Sequence, residues 1–202
     1  LNEGSSVQPY TPTIGTAQTT PVLLPAGLTT GRDITGVNLF ENVRKQSALN
    51  LDGQSWAEVH DNESLDITSA ITLECWINST DKDQYHHILS KNKSGNTSYA
   101  VVTEVTTGYL GFEIISGEFK KTDYNVMDGN WNHIVVTYDE TNLKFYVNGA
   151  LDETIAYTST IPTNDVDFHI GARPDGVQLF EADIAQPRIY NRALTNEEIQ
   201  RN

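Results

Sequence analysis

Cysteine and basic residues are both scarce in this chain. The single cysteine, Cys75, cannot form an internal disulfide bond. It lies in the apolar run 71–77, so we expect a buried and inert thiol. The 13 Lys and Arg residues face 27 Asp and Glu residues, which gives a net charge of −14. This balance argues against a phosphate backbone as a partner, so no nucleic-acid binding is expected.

Long hydrophobic segments and metal-binding spacings of histidine are also missing. No apolar run approaches the roughly 20 residues of a membrane-spanning helix, so no membrane span is predicted. The first residues lack a Met and a signal-peptide pattern, which suggests a processed chain or a piece of a longer one. His86 and His87 are adjacent and should face opposite sides of a strand. The other histidines are scattered, so no zinc site is predicted.

The most informative stretch of the sequence is residues 128–155. Residues 131–138 are largely apolar on both alternating faces, which predicts a strand between two covering layers. Leu143, Phe145 and Val147 then alternate with more polar positions, which predicts a strand with one wet face and these three side chains buried together. The pair Asn148-Gly149 supplies the positive φ angles of a tight hairpin. Together these signals predict an antiparallel meander.

Short strand-like runs and turn signals continue through the rest of residues 47–202. Residues 71–77 alternate so that one face of the strand should be dry and the other polar. Thr195 and Glu198 have the spacing of a capping box, which predicts a short C-terminal helix. About a dozen short strands favour an all-β, two-sheet antiparallel jelly-roll sandwich with a short C-terminal helix.

Residues 1–46 differ from this domain. They contain four prolines between residues 7 and 27 and show no sustained periodicity, which predicts an extended N-terminal arm or linker. Two interpretations stay open: a flexible linker, or an arm that docks on a neighbouring subunit by adding to a sheet edge.

Several stretches of residues 47–202 resemble the concanavalin A-like, laminin-G-like jelly-roll family. They are LNLDGQSWAEV, SLDITSAITLECWIN, HHILSKNKSGNTSYAV, DGNWNHIVVTYDETNLKFYVNGALDET, HIGARP and ADIAQPRIYNRALTNEEI. The resemblance implies two stacked antiparallel sheets. It does not fix a function, because members bind sugars, proteins or lipids, or only space other domains.

Related β-glucanases carry Glu-x-Asp-x-x-Glu on one strand, and the corresponding positions here are Glu181, Asp183 and Gln186. A retaining glycosidase needs two carboxyl groups, one as nucleophile and one as acid/base. Gln186 cannot donate and regain a proton, so we expect no enzymatic activity.

The resemblance also suggests calcium as the one candidate cofactor. Family members often carry one Asp near the first strand and another in the closing strand. Asp52 matches the first position, whereas the aligned second position is Ala185. Asp183 is a carboxylate on the same closing strand. We therefore consider Asp52 and Asp183 as candidate calcium ligands, since calcium prefers carboxylate and carbonyl oxygens.

A carbohydrate site combines an exposed aromatic ring with amide and charged groups. The candidates for such a site, which should lie on wet faces or in loops, are Tyr85, Tyr124, Tyr146, Asn148 and Arg173. Trp76 and Trp131 match core positions of the family and are assigned to packing, while Trp56 fits either role.

These observations predict a non-catalytic recognition module of a larger surface or particle protein, which binds a glycan or a protein surface. Carbohydrate binding or adhesion is the first hypothesis, with a location outside the cell, at the cell surface or on a virion. The alternative is a structural virion component, such as a capsid decoration, fibre or tail protein, in which residues 1–46 dock on capsid or other subunits. A glycoside hydrolase is the remote third hypothesis.

Overall fold

The computed structural model describes residues 48–114 and 118–202, so the arm predicted for residues 1–46 lies outside the described residues. The strands are β1 Leu49–Asp52, β2 Ala57–Val59, β3 Ile71–Asn78, β4 His86–Ser90, β5 Ala100–Thr103, β6 Tyr109–Glu113, β7 Phe119–Asn125, β8 Asn132–Tyr138, β9 Asn142–Val147, β10 Ala150–Ala156, β11 Phe168–Ile170 and β12 Glu181–Tyr190. A 3-10 turn spans Glu63–Leu65, and helix α1 spans Asn196–Ile199.

The strands form two antiparallel sheets of six strands each, as predicted. Sheet A has the order β1-β12-β3-β8-β9-β10, and sheet B has the order β2-β11-β4-β5-β6-β7. All the strand pairs run antiparallel. The inner faces of the two sheets enclose one apolar core. We call the face of each sheet that points away from this core its outer face.

The predicted meander forms β8, β9 and β10, which make up one half of sheet A with β10 at its edge. Leu143, Phe145 and Val147 are buried together in the core, and Phe145 lies opposite Val136 of β8. Asn148 and Gly149 turn the β9–β10 hairpin with φ angles of +52° and +79°. Every residue of β8 is buried, which confirms a strand with covering layers on both sides.

The polar face predicted for β3 is buried over its first half. Thr72 and Glu74 are 0% and 1% exposed, whereas Trp76 and Asn78 on the same face are partly exposed. The C-terminal segment covers this side, because Leu194 and Ile199 pack on sheet A in one cluster with Val135 and Tyr146. The capping box predicted for α1 is present, with Thr195 and Glu198 bonded reciprocally.

The buried carboxylate of Glu74 is surrounded by donors. Its Oε1 accepts hydrogen bonds from Arg188 Nη1 at 2.6 Å, Tyr190 OH at 3.1 Å and Asn202 Nδ2 at 3.1 Å. His133 Nε2 lies 3.6 Å from Oε2. Burial alone would raise the pKa of Glu74, but the neighbouring His133 and Arg188 outweigh it and lower the pKa to about 2.

A second buried charge organises the loops at the edge of the sandwich. The Lys91 ammonium is fully buried and pairs with the carboxylate of Asp61. It also donates to the carbonyl oxygens of Asn164 at 2.8 Å and Val166 at 2.9 Å. One side chain at the end of β4 therefore holds two long connections, before β3 and before β11.

Cys75 is fully buried in the core, and burial raises the pKa of its thiol, which agrees with an inert role. Within residues 48–114 and 118–202, none of the helices has the length and apolar character needed to cross a bilayer.

Phe145→Ala should lower the free energy of unfolding by about 3–5 kcal/mol, because it removes an aromatic ring from the closed core. Urea denaturation followed by fluorescence measures the change. Tyr124→Ala is the control, since this ring is 40% exposed on an edge strand; surface changes of this kind usually stay within about 0.5 kcal/mol. Equal losses for the two variants would contradict the assigned faces.

Glu74→Gln should reduce stability at neutral pH and flatten the acid limb of the stability curve. The folded-state pKa of Glu74 is lowered from 4.5 to about 2, so its contribution is complete above about pH 4.5 and is lost as the pH falls toward 2. The difference corresponds to a contribution on the order of 3 kcal/mol. Denaturation between pH 2 and pH 7 tests this, with exposed Glu140→Gln as the control. Parallel curves for wild type and Glu74→Gln would show that the carboxylate is not stabilising.

Candidate functional site

A cavity of about 240 Å3 opens on the outer face of sheet B. Strand alternation places its lining there, because Val101 and Phe112 point into the core while their neighbours on the same strands point away. His87 lies opposite Val102, and Glu113 lies opposite Ala100. The residues that line the cavity include Tyr85, His87, Asn92, Glu113, Arg173 and Gln178.

The cavity brings together two of the five predicted ligand-binding residues, Tyr85 and Arg173. Tyr85 directly precedes β4, whereas Arg173 lies in the connection between β11 and β12. The Arg173 guanidinium is held on two sides, by both carboxylate oxygens of Asp175 at 2.8 and 2.9 Å and by Gln178 Oε1 at 3.0 Å. Its orientation is therefore fixed before any ligand arrives.

The floor of the cavity contains an amide, a carboxylate and an imidazole. Asn92 Nδ2 donates to Glu113 Oε2 at 2.9 Å. Burial raises the pKa of Glu113, although Arg173 and Asn92 act in the opposite direction. Burial and the charge of Arg173 lower the pKa of His87 to about 4, so its ring is neutral at pH 7. His87 Nδ1 lies 2.9 Å from Ser90 Oγ.

The aromatic wall of the cavity depends on a glycine. The Tyr85 ring meets Phe119 edge to face, with ring centroids 5.3 Å apart and planes at 75°. Phe119 in turn lies directly on Gly111, where a β-carbon would be 1.9 Å from Phe119 Cε2. Only glycine allows this close approach, so Gly111 sets the position of Phe119 and, through it, that of Tyr85.

Trp56, whose role the sequence left open, is a second exposed aromatic ring on the outer face of sheet B. It is 40% exposed and stacks on His169, with centroids 5.6 Å apart and planes at 16°. The turn that begins at Arg173 reaches Trp56, since a β-carbon on Gly176 would lie 3.8 Å from Trp56 Cη2.

The structure places the other three predicted ligand-binding residues elsewhere. The prediction that Tyr146 lies on a wet face is wrong: it is 4% exposed, because α1 covers the outer face of sheet A. Tyr124 is exposed on edge strand β7, outside the cavity. Asn148 has a structural task in the hairpin, where its Oδ1 accepts from His133 N at 2.9 Å.

Two tryptophans assigned to the core are only partly buried. Trp76 lies on the outer face of sheet A and stacks on His133, with centroids 4.9 Å apart. Trp131 is half-buried just before β8. Trp76 therefore packs, as predicted, but on the opposite side of the sheet from the core.

The carboxylate pattern of the closing strand is interrupted. The pairing of β12 with β3 shifts register between Ala185 and Arg188, and Gln186 adopts a φ of +51° in this bulge. Its Oε1 accepts from Arg188 Nη2 at 3.1 Å. Glu181 and Asp183 precede the bulge, and Gln186 lies within it.

The predicted calcium ligands Asp52 and Asp183 line a second, more open cavity of about 570 Å3. Asp52 Oδ1 accepts from Gln54 N at 3.0 Å and Ser55 Oγ at 2.7 Å, while Asp183 Oδ1 accepts from Asn50 Nδ2 at 2.8 Å. Calcium binding at these residues stays a prediction.

Elsewhere, two groups of acidic and histidine side chains bring their potential metal-ligating atoms within 4.8 Å of one another. They are Glu58, His60 and Asp167, and Asp81, Asp83 and His86. Sequence reasoning missed the second group because it sought a second histidine, not carboxylates. The spacing Asp-x-Asp-x-x-His in residues 81–86 was the available signal.

Comparisons with known structures agree with this architecture. A proposed carbohydrate-binding protein from Bacteroides ovatus matches with a TM-score of 0.63 and 19% identity; the match covers 77% of this chain but 46% of that one, so this chain spans about half its length. Domain 4 of AbnA, an extracellular arabinanase from Geobacillus stearothermophilus, was solved in complex with arabinotriose. It matches with a TM-score of 0.60 and 19% identity, and the match covers 76% of this chain and 74% of that one. The CBM40 of the Ruminococcus gnavus IT-sialidase was solved with α2,3-sialyllactose bound. It matches with a TM-score of 0.62 and 15% identity, and the match covers 76% of this chain and 95% of that one.

At these identities the structural matches show the fold alone, and no curated protein sequence matches the chain. The family model of the Concanavalin A-like lectin/glucanases superfamily, however, matches residues 51–200. This range runs from the first strand of sheet A to the end of α1. The chain therefore belongs to the concanavalin A-like lectin/glucanase superfamily.

Proposed function

We propose that this chain is a non-catalytic recognition module that binds carbohydrate on the outer face of sheet B. The observation that carries the proposal is the cavity where the Tyr85 ring lies beside Arg173, Asn92 and Glu113. A sugar ring offers an apolar C–H face to an aromatic ring and hydroxyl groups to amide, carboxylate and guanidinium groups. The cavity supplies both kinds of partner.

The polar groups of the cavity are fixed in advance. Arg173 donates hydrogen bonds to Asp175 and Gln178, and Asn92 donates a hydrogen bond to Glu113. Binding to pre-ordered side chains loses less conformational entropy than binding to free ones, which raises the affinity for a matching ligand. The neutral ring of His87 adds a hydrogen-bonding group without another charge.

An oligosaccharide fits this face better than a single sugar. Trp56 presents its exposed ring beside the turn that carries Arg173. One sugar unit at Tyr85 and another over Trp56 would use both aromatic surfaces.

The known relatives support a binding role of this kind. Two were solved with glycans bound, arabinotriose and sialyllactose. A further neighbour, the binding domain of botulinum neurotoxin DC, was solved in complex with rat synaptotagmin II, and the match covers 40% of that chain. The small polar cavity beside an aromatic ring favours a glycan for this chain. By the same reasoning we propose a location outside the cell or at its surface.

The absence of catalysis is part of the proposal. Gln186 carries an amide where the glucanase pattern has a carboxyl group, and this amide is engaged with Arg188. The virion alternative depends on residues 1–46, which lie outside the described residues, so it stays a prediction.

Tyr85→Ala and Glu113→Gln should each weaken glycan binding about tenfold or more, because each removes a group in the centre of the site. The full chain is first screened on a glycan array, and the strongest ligand is then titrated by calorimetry. Tyr124→Ala is the matched control, as it removes an exposed tyrosine outside the cavity. A glycan whose affinity falls only in Tyr124→Ala would place the site elsewhere, and an array without any bound glycan would contradict carbohydrate recognition.

Trp56→Ala should weaken binding of a long oligosaccharide while leaving its shortest bound fragment unaffected. The reason is that Trp56 does not line the cavity and can touch only units outside it. Comparing the two ligands by calorimetry measures the difference. If both ligands lose affinity equally, Trp56 acts through the fold of sheet B and not as a separate contact.

A further inference from the structure

His86 lies at the start of β4 and faces two aspartates of the preceding loop. Its side chain is completely buried, whereas Asp81 is 22% exposed and Asp83 is 75% exposed. Nε2 of His86 lies 3.3 Å from Asp81 Oδ1 and 3.5 Å from Asp83 Oδ1. The three groups form a pocket that is closed on the imidazole side and open to solvent at Asp83.

The hydrogen bond of the other ring nitrogen determines which tautomer a neutral His86 ring adopts. Nδ1 lies 2.7 Å from the carbonyl oxygen of Leu179. A carbonyl oxygen can only accept, so Nδ1 carries a proton, and in the neutral ring Nε2 carries a lone pair. Among the described residues Nε2 has no hydrogen-bond partner, although it is buried. The buried Nε2 thus faces two carboxylate oxygens.

We propose that Asp81, Asp83 and His86 bind a divalent transition-metal ion, with zinc as the best fit. Zinc bonds to nitrogen and oxygen of about 2.0–2.1 Å set ligand atoms about 3.3–3.4 Å apart at the corners of a tetrahedron. The observed separations from Nε2 are 3.3 and 3.5 Å. Both distances from Nε2 therefore match edges of a zinc tetrahedron, and all three atoms lie within 4.8 Å of one another.

The chemistry of the ligands selects the class of metal. Calcium and magnesium take oxygen ligands, whereas imidazole suits zinc and its neighbours in the transition series. Metal-binding histidines characteristically donate their other N–H to a carbonyl or carboxylate, as His86 does to Leu179. The Phe180 ring packs against His86 with centroids 5.1 Å apart and holds the imidazole in place.

The carboxylate of Asp81 is also oriented by its surroundings. Its Oδ1 accepts a hydrogen bond from the backbone N–H of Asp83 at 3.2 Å. Three protein ligands leave a fourth position for water or for a donor group of another molecule. The metal would also join the β3–β4 loop to β4 on either side of Tyr85. This inference does not depend on the proposed glycan site.

The competing explanation is an ion pair without metal, in which a protonated His86 neutralises the two aspartates. The second cluster, Glu58, His60 and Asp167, provides a comparison within the same chain. His60 is 85% exposed and lies 3.3 Å from Asp167. This cluster lacks a buried, unpartnered nitrogen directed at its carboxylates, so we assign no metal to it.

The test uses the full chain after treatment with EDTA, titrated with Zn²⁺ by calorimetry. We expect saturable binding of one zinc ion and a melting temperature that rises with zinc concentration. Asp81→Asn and Asp83→Asn should each weaken zinc binding at least about tenfold, since they remove ligand charge with little change of shape. His60→Ala is the control and should leave the affinity unchanged.

Co²⁺ provides a readout that reports the ligands directly. We expect the wild type to show the intense visible absorption of tetrahedral cobalt and the two aspartate variants to lose it. The inference is overturned if the wild type gives no saturable zinc titration, if both aspartate variants bind as tightly as wild type, or if His60→Ala abolishes binding.

Discussion

A buried carboxylate is stable only when hydrogen-bond donors surround it. On the outer face of sheet A, Glu74 is such a carboxylate, and several parts of the chain supply its donors. Arg188 and Tyr190 reach it from β12, and Asn202 reaches it from the C-terminal segment. The same segment carries Leu194 and Ile199 onto the apolar side chains of sheet A. The electrostatic and the hydrophobic contacts therefore reinforce each other, and together they close the central part of this face.

The outer faces of the two sheets differ in how accessible they are. The central part of the outer face of sheet A is covered by the C-terminal segment of the chain. The outer face of sheet B carries the cavity at Tyr85 and Arg173 and the exposed ring of Trp56. Glycine at position 111 and the bonded turn at Arg173 shape that face without filling it. The cavity and the exposed ring of Trp56 therefore lie on the side of the sandwich opposite the C-terminal segment.

Most of the strands were predictable from the sequence, because a strand that buries one face has an apolar residue at every second position. β8 was recognised from its two apolar faces, and β9 from the alternation around Phe145. The burial of the polar face of β3 and that of Tyr146 share one cause. The C-terminal segment, which is distant in sequence, covers these residues. The alternation of polar and apolar residues along one strand cannot show that a distant segment will pack on it.

The candidate sites were predicted less completely than the fold, for related reasons. Tyr85 and Arg173 were chosen for their chemistry, but their meeting depends on two connections that are distant in sequence. The observation that His86 and His87 face opposite sides holds, yet the partners of His86 are carboxylates in a local turn. The bulge at Gln186 is a further feature that alternation along β12 does not predict.

The attachment of Asn202 to Glu74 also has a practical consequence. It fixes the last residue of the sequence on the side of the sandwich opposite the cavity. A biotin acceptor peptide or a fluorescent protein joined after Asn202 would leave from that side. The molecule could then be coupled to a sensor chip in one orientation, with the face that carries Tyr85 and Trp56 directed toward the solution.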